Sequence, residues 1–169
     1  FGSFGIGSSS HIVGETFARK AALDLAHVPY KGSAPMMSDL LGGQVPCAWA
    51  DVSTATQHIK SGRLKPLAIA SLQRSALMPD VPTVAESGIP GYQGILWMGI
   101  LAPAGTDAAR IASLHKAITA FARTAAFQGK LKTDGVNTVA SDPASFAKLI
   151  HTEIGQWADV VRKSNIKAD

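Results

Sequence analysis

The chain has 169 residues, of which 46% are hydrophobic and 17% charged, with a formal net charge of +4 and a pI of about 9.4. This composition excludes an intrinsically disordered protein, and no apolar run approaches the ~20 residues that span a bilayer. The basic residues are scattered and not interleaved with exposed aromatic residues, which argues against nucleic-acid binding.

The first half of the chain alternates between helix and strand patterns. A loop at residues 5–10 leads into a helix that ends near residue 20, and Ser33 and Ser53 are positioned to cap the next two helices. Apolar, β-type runs predict three short strands: residues 23–30, 45–50 and 64–71. Helices between strands indicate an α/β fold with a parallel or mostly parallel sheet. The single cysteine, Cys47, is expected to be a buried strand residue.

The pattern changes at residues 72–93, which are rich in turns and which we interpret as a boundary between two packing units. A strand is predicted at residues 95–101, and the 3.6-residue apolar period from Ile111 to Phe121 predicts a helix. The remaining predicted elements are a helix at 125–133, a strand at 136–140 and a last helix capped by Ser141 or Asp142.

The loop at residues 5–10, Gly-Ile-Gly-Ser-Ser-Ser, is the first candidate site. A helix start leaves backbone N–H groups unpaired, serine hydroxyls add donors, and the helix dipole favours negative charge. Gly7, Ser8, Ser9 and Ser10 therefore form a candidate site for a small anion, and a carboxylate fits it well. The alternative is an ordinary serine cap that binds nothing.

Two more loops follow predicted strands, and the carboxyl ends of parallel strands lie at one edge of a sheet, where ligands bind. Tyr30 and Lys31 are candidates for lining the site, with Lys31 attracting anions; they equally fit a solvated loop. Asp51 is a candidate acceptor for a ligand ammonium or hydroxyl, or a helix cap.

Catalytic and metal motifs are weak in this sequence. Ser10 and His11 are adjacent and not arranged as nucleophile and base. The other four histidines (His27, His58, His115 and His151) are dispersed, and no H-x-x-x-H or C-x-x-C spacing exists, so we expect neither a metal site nor a cofactor. The opening loop does not fit the G-x-S-x-G elbow of hydrolases. A serine hydrolase that uses Ser9, His11 and Asp51 remains an alternative of lower rank.

Six segments, in order, give the chain a close resemblance to the tripartite tricarboxylate transporter substrate-binding proteins, the Bug or TctC family. They are GIGSSSH at 5–11, HVPYKGSAP at 27–35, DLLGGQV at 39–45, HIKSGRL at 58–64, PDVPTVAE at 79–86 and LAPAGT at 101–106. The resemblance implies a type II periplasmic-binding-protein fold with two α/β domains. Residues 1–90 would be the complete second, ligand-binding domain, and residues 91–169 a crossing strand and C-terminal helices of an incomplete first domain.

The resemblance also implies a function. The protein would capture a dicarboxylate, tricarboxylate or acidic amino acid in the periplasm and deliver it to a membrane permease, without catalysis, after removal of a signal peptide. The alternative role is that of a ligand-sensing partner of a membrane histidine kinase. Ligand contacts map to Gly7, Ser8, Ser9 and Ser10, with Asp51 or its neighbours.

The resemblance carries two further expectations. Ile6 stands where the family commonly has asparagine, which puts any hydrogen bond of that asparagine in doubt. A chain that corresponds to half of the family's length should bind ligand weakly or not at all by itself. It should also form a dimer, or be poorly soluble, because of an exposed apolar stripe of the last helix: Phe146, Ile150, Trp157 and Val161.

Overall fold

The sheet of this protein is small and parallel. In the computed structural model, which describes residues 1–167, β1 (Gly2–Ser3) pairs with β2 (Val28–Pro29), with Gly2 opposite Val28 and Ser3 opposite Pro29. A single parallel bridge joins Gly2 to Ala48 on the other side of β1. The α/β class and the parallel pairing predicted from the sequence are confirmed.

Because the three segments run parallel, their carboxyl ends lie at the same edge of the sheet. Residues 5–10 follow β1, residues 30–33 follow β2, and residues 51–54 follow the bridge at Ala48. The three loops that the sequence places near a site therefore begin at one edge.

Six helices accompany the sheet in the described part of the chain. They are α1 (Ser9–Lys20), α2 (Ser33–Leu41), α3 (Val52–Lys60), α4 (Ala108–Ala122), α5 (Ala125–Thr133) and α6 (Pro143–Lys163). Ser8 caps α1, since its side chain accepts a hydrogen bond from the His11 N–H. None of these helices is long and apolar enough to cross a membrane.

Two predicted helix caps are wrong by one or two residues. Ser33 is the first residue of α2, and the cap position belongs to Gly32, whose φ of 111° favours glycine. Ser53 lies inside α3, where Asp51 occupies the cap position. At the last helix Asp142 is the cap, because its side chain accepts a hydrogen bond from the Ser145 N–H.

The predicted strands are much shorter than their sequence patterns. Of residues 23–30 only Val28–Pro29 pairs, and Leu23 instead donates its N–H to the Ala18 carbonyl at the end of α1. Residues 45–50 and 64–71 each make one isolated bridge, and Cys47 is only partly buried. Within the described residues, 95–101 and 136–140 form no ladder. A β-type composition makes a strand only where a neighbouring chain segment offers hydrogen bonds.

Contacts divide the described chain into two compact units: residues 1–96 with residues 155–167, and residues 97–154. The core of the first unit consists of Val13, Val84 and Tyr92, with Phe17 and Trp49 packed against it. The Tyr92 ring is fully buried, and its hydroxyl donates to the Val13 carbonyl at 2.8 Å. This contact fixes α1 against the end of the turn-rich segment 72–93.

The second unit has a separate set of aromatic contacts. The Trp97 and Phe146 ring centres lie 5.1 Å apart in an edge-to-face arrangement, and the Trp97 indole N–H donates to Glu153 at 2.6 Å. On α6, Phe146 and Ile150 of this unit and Trp157 and Val161 of the first unit are all half-buried, in contrast to the expected exposed face. The side chain of Met98 is much more exposed, at 85%.

Candidate functional site

The opening loop is organised by its own serine hydroxyls. Ser8 Oγ donates to the Gly5 carbonyl at 2.7 Å, and Ser10 Oγ accepts from the Phe4 N–H at 2.8 Å. The two hydroxyl oxygens lie 3.0 Å apart. Because the single Ser8 proton is used on Gly5, the Ser10 hydroxyl is the donor between them. Both hydroxyl protons are thus committed inside the loop.

Ser9 is the serine that stays available. Its hydroxyl has no hydrogen-bond partner among residues 1–167, and the backbone N–H groups of Ser9 and Ser10 have no acceptor there either. These two N–H groups belong to the first turn of α1, where orphan donors and the helix dipole together favour an anion. The sequence pattern located the donors but not which hydroxyls the loop itself consumes.

A small cavity opens beside these donors. Its volume is about 80 Å³, and ten residues line it: Phe4, Ser9, Ser10, Val13, Trp49, Ala50, Asp51, Ala70, Gly94 and Leu96. All ten belong to the first unit. This volume is far below that of typical drug-sized pockets and suits a small organic acid or one end of it.

Asp51 contributes the only ionisable side chain among the residues that line this cavity. It holds the cap position of α3, but its side chain accepts no capping hydrogen bond. Burial raises the pKa of the Asp51 carboxyl above its ordinary value. The structure therefore brings Asp51 to the same cavity as Ser9 and Ser10, and it removes the capping role that the sequence left open.

Other candidate residues lie outside the cavity lining. The Tyr30 hydroxyl donates to Asp39 Oδ2 at 2.9 Å, and Lys31 is exposed. The Ser8 hydroxyl makes its hydrogen bonds inside the loop and to the first turn of α1. Gly7 adopts a φ of 73°, which favours glycine, and donates its N–H to His11 Nδ1 at 3.1 Å.

A histidine pair beneath the loop escaped the sequence analysis, which did not connect His11 with His27. The rings of His11 and His27 stack at 3.7 Å with an interplanar angle of 9°. His27 Nε2 lies 2.6 Å from Ser3 Oγ, which joins the pair to β1. Burial lowers the pKa of His11, and burial with the neighbouring His11 lowers the pKa of His27 to about 4. Both rings are therefore neutral at pH 7.

This pair predicts a loss of stability in mild acid. Unfolded His27 titrates near 6.5 and folded His27 near 4, so between these values the unfolded chain binds more protons. The free energy of unfolding should therefore fall as the pH drops from about 6.5 to about 4. Urea unfolding at several pH values measures it, with His27→Gln as the non-titrating comparison. An equally steep pH dependence in His27→Gln would contradict the assignment.

The geometry does not assemble a serine-protease-like triad. His11 Nδ1 accepts the Gly7 N–H, and its Nε2 lies 3.8 Å from Glu15 Oε1. No hydrogen bond joins His11 to Ser9 within residues 1–167. A serine nucleophile requires a base within hydrogen-bond reach, and this base is engaged elsewhere.

Comparisons with known proteins agree with the architecture. Residues 1–166 match the family model described as the tripartite tricarboxylate transporter family receptor. Protein BugT of Bordetella pertussis is 36% identical over 162 residues, which cover 96% of this chain and 50% of BugT. The chain thus spans about half the length of that curated relative.

Two solved structures are similar over nearly the whole chain. The structure of R. palustris Rpa4515 with adipate has a TM-score of 0.88 at 30% identity, covering 98% of this chain and 56% of that one. The structure of the periplasmic binding protein BugD has a TM-score of 0.84 at 34% identity, covering 99% and 57% respectively. The similarity therefore extends through both units of this chain.

Proposed function

The chain belongs to the tripartite tricarboxylate transporter receptor family, and from that membership we propose that its protein binds a small organic carboxylate in the periplasm for a membrane permease. The observation that carries this proposal is the set of unpaired donors on Ser9 and Ser10, which border a cavity at the start of α1. The periplasmic location is supported by the likeness to BugD. A carboxylate ligand is supported by the adipate in the Rpa4515 structure.

The ligand carboxylate is proposed to accept hydrogen bonds from the Ser9 hydroxyl and from the Ser9 and Ser10 N–H groups. These donors are fixed by the loop network, so little ordering is needed when the anion arrives. Gly7 and Ser8 support the site by shaping the loop. Tyr30 and Lys31 are assigned to the loop after β2, with Lys31 acting through its charge at longer range.

The domain assignment is part of the same proposal. Residues 1–90 would form the ligand-binding domain, since eight of the ten lining residues fall within them. Residues 91–169 would belong to the other domain of a longer, two-domain receptor.

We propose binding without catalysis for this site. The support is the engagement of His11 by Gly7, since no histidine among residues 1–167 makes a hydrogen bond to the Ser9 hydroxyl. Release of the ligand to a permease requires reversible contacts, and hydrogen bonds to backbone N–H groups meet that requirement.

Thermal unfolding with matched ligands tests this function. Adipate, succinate and citrate should raise the melting temperature in a concentration-dependent way, because a ligand that binds only the folded state stabilises it. Adipamide is the control, since it keeps the carbon chain and removes the charge. In the full-length receptor, equal stabilisation by adipate and adipamide, or none by any carboxylate, would contradict the proposal.

A further inference from the structure

The stacked histidine pair is connected to both glycines of the opening loop. Gly7 donates its N–H to His11 Nδ1 at 3.1 Å, and this N–H has no other acceptor in the described part of the chain. Gly5 donates its N–H to Ser3 Oγ at 3.2 Å, and Ser3 Oγ lies 2.6 Å from His27 Nε2. The pair therefore holds the backbone that leads into the serines.

The contact between His11 and Gly7 requires a neutral ring. Nδ1 accepts the Gly7 N–H only while it carries no proton, so the ring proton of His11 is on Nε2. Nε2 lies 3.8 Å from Glu15 Oε1, and His11 is buried. Stacking on His27 with an interplanar angle of 9° keeps the His11 ring in one plane.

A second proton on His11 would reverse this contact. An N–H at Nδ1 would face the Gly7 N–H at 3.1 Å, and two donors at that distance repel each other. Gly7 has a φ of 73° and directly precedes Ser8, whose hydroxyl caps α1. Because a glycine changes its backbone conformation easily, Gly7 would move and displace the Ser9 donors that follow it.

The charged groups around the pair do not offset this effect. Glu15 faces His11 from α1, His27 faces it from the segment before β2, and the Phe1 amino group acts on His27 from the start of β1. A protonated His11 would pair with the Glu15 carboxylate, which neutralises most of its charge. His11 is also not among the residues that line the cavity. Loss of the Gly7 contact therefore outweighs attraction of the ligand anion.

Titration of the pair in mild acid belongs to His11. Burial and the neighbouring His11 lower the pKa of His27 to about 4, so His27 stays neutral there. Burial also lowers the pKa of His11, but Glu15 raises it. The first proton that the pair takes up is therefore on the ring that contacts Gly7.

Resting on the proposed function, we propose that His11 is a positioning residue: its neutral ring holds the opening loop in the shape that binds a carboxylate, and protonation of that ring weakens binding. The ligand is held at neutral pH and dissociates more readily in mild acid. Because coupling between two binding events is reciprocal, a bound carboxylate should also disfavour protonation of His11.

Calorimetric titration of the full-length receptor with succinate at two pH values tests this role. His11→Asn is the matched variant, because the asparagine side-chain oxygen can accept the Gly7 N–H and does not titrate. Between about pH 7.5 and about pH 5, the affinity of the natural receptor should fall about three- to tenfold more than that of His11→Asn. Protonation of succinate itself is common to both proteins. An equal fall in both proteins, or a smaller fall in the natural receptor, would overturn the inference.

Two further variants separate the hydrogen bond from the ring. His11→Phe keeps a flat ring against His27 and removes the acceptor, so its affinity for succinate near neutral pH should be about tenfold lower than that of the natural receptor. His11→Asn should recover most of this loss. His151→Asn removes an exposed histidine of α6 and should keep the pH profile of the natural receptor. Natural affinity in a folded His11→Phe variant would contradict the positioning role.

The natural receptor provides a measurement that needs no variant. The imidazole signals of His11 in nuclear magnetic resonance should give a lower pKa with saturating succinate than without it, while those of His151 should give the same pKa in both. A His11 pKa that succinate leaves unchanged or raises would overturn the inference.

The outcomes separate the two proposals. If succinate binds near neutral pH with the same pH dependence in the natural receptor and in His11→Asn, the positioning role is wrong and carboxylate binding stands. If succinate binds at neither pH, carboxylate binding fails and the positioning role fails with it.

Discussion

Replacement of Gly14 by alanine is expected to destabilise the fold by about 1–3 kcal/mol, although alanine is the better helix former. A Cβ atom at Gly14 would lie 2.1 Å from Cε2 and 2.6 Å from Cζ of the Phe1 ring. Phe1 is 6% exposed, and its carbonyl accepts the Val28 N–H at 2.9 Å. The Phe1 ring cannot move away without disturbing the start of β1. The added methyl group must therefore push α1 out of its packed position.

Gly129→Ala is the matched control for this experiment. Gly129 lies inside α5, where an added Cβ has no atom within 4 Å. This substitution should stabilise the protein by about 0.5–1 kcal/mol through helix propensity alone. Urea unfolding of both variants measures the contrast. A Gly14→Ala variant as stable as the natural protein would show that the Phe1 contact does not constrain α1.

Replacement of Ser9 by proline is expected to weaken carboxylate binding by about 10²- to 10⁴-fold with little loss of stability. Proline suits the first position of a helix, and Ser8, at φ −67° and ψ 161°, has the extended backbone that precedes proline. The substitution removes one N–H and one hydroxyl. A hydrogen bond from each to a carboxylate is worth about 1.5–3 kcal/mol.

Ser9→Ala separates the two donors, because it removes the hydroxyl and keeps the N–H. Its affinity for the carboxylate should be about 10- to 100-fold lower than that of the natural protein, and higher than that of Ser9→Pro. Calorimetric titration with one carboxylate, alongside thermal unfolding of each free variant, gives both quantities. Unchanged affinity in a stable Ser9→Pro variant would remove Ser9 from the site.

Local sequence signals predicted the helices well. The helix at residues 125–133 was predicted with its observed bounds, and Thr124 caps it by accepting a hydrogen bond from the Phe127 N–H. The glycine pair Gly42–Gly43 follows the end of α2, and Gly43 has a φ of 73°, which favours glycine. Caps and stops depend on neighbours in sequence, and the sequence contains them.

Long-range features could not be predicted in the same way. Residues 95–101 have the composition of a strand, but strand formation depends on a pairing segment that composition does not specify. His11 stacks on His27, which lies 16 positions further along the chain, and no sequence motif predicts this contact. The strands were therefore predicted too long and the histidine pair was missed.

The candidate site falls between these two cases. The sequence identified residues 5–10 as a source of donors because helix starts have a recognisable composition. Which donors remain free depends on hydrogen bonds within the folded loop, such as that from Phe4 N–H to Ser10 Oγ. The meeting of Ser9 with Asp51 depends on the parallel order of the segments, which the alternation of helices and strands did predict.

Carboxylate binding at the start of α1 is tested most directly by nuclear magnetic resonance of the ¹⁵N-labelled protein, because chemical shifts report even weak binding residue by residue. Titration with succinate and with aspartate should move the amide signals of Ser9 and Ser10 most. Those of Gly129 and Gly155, which are in α5 and α6 and are not among the residues that line the cavity, should stay in place. Shifts confined to other parts of the chain, or no shifts at millimolar acid, would contradict the account.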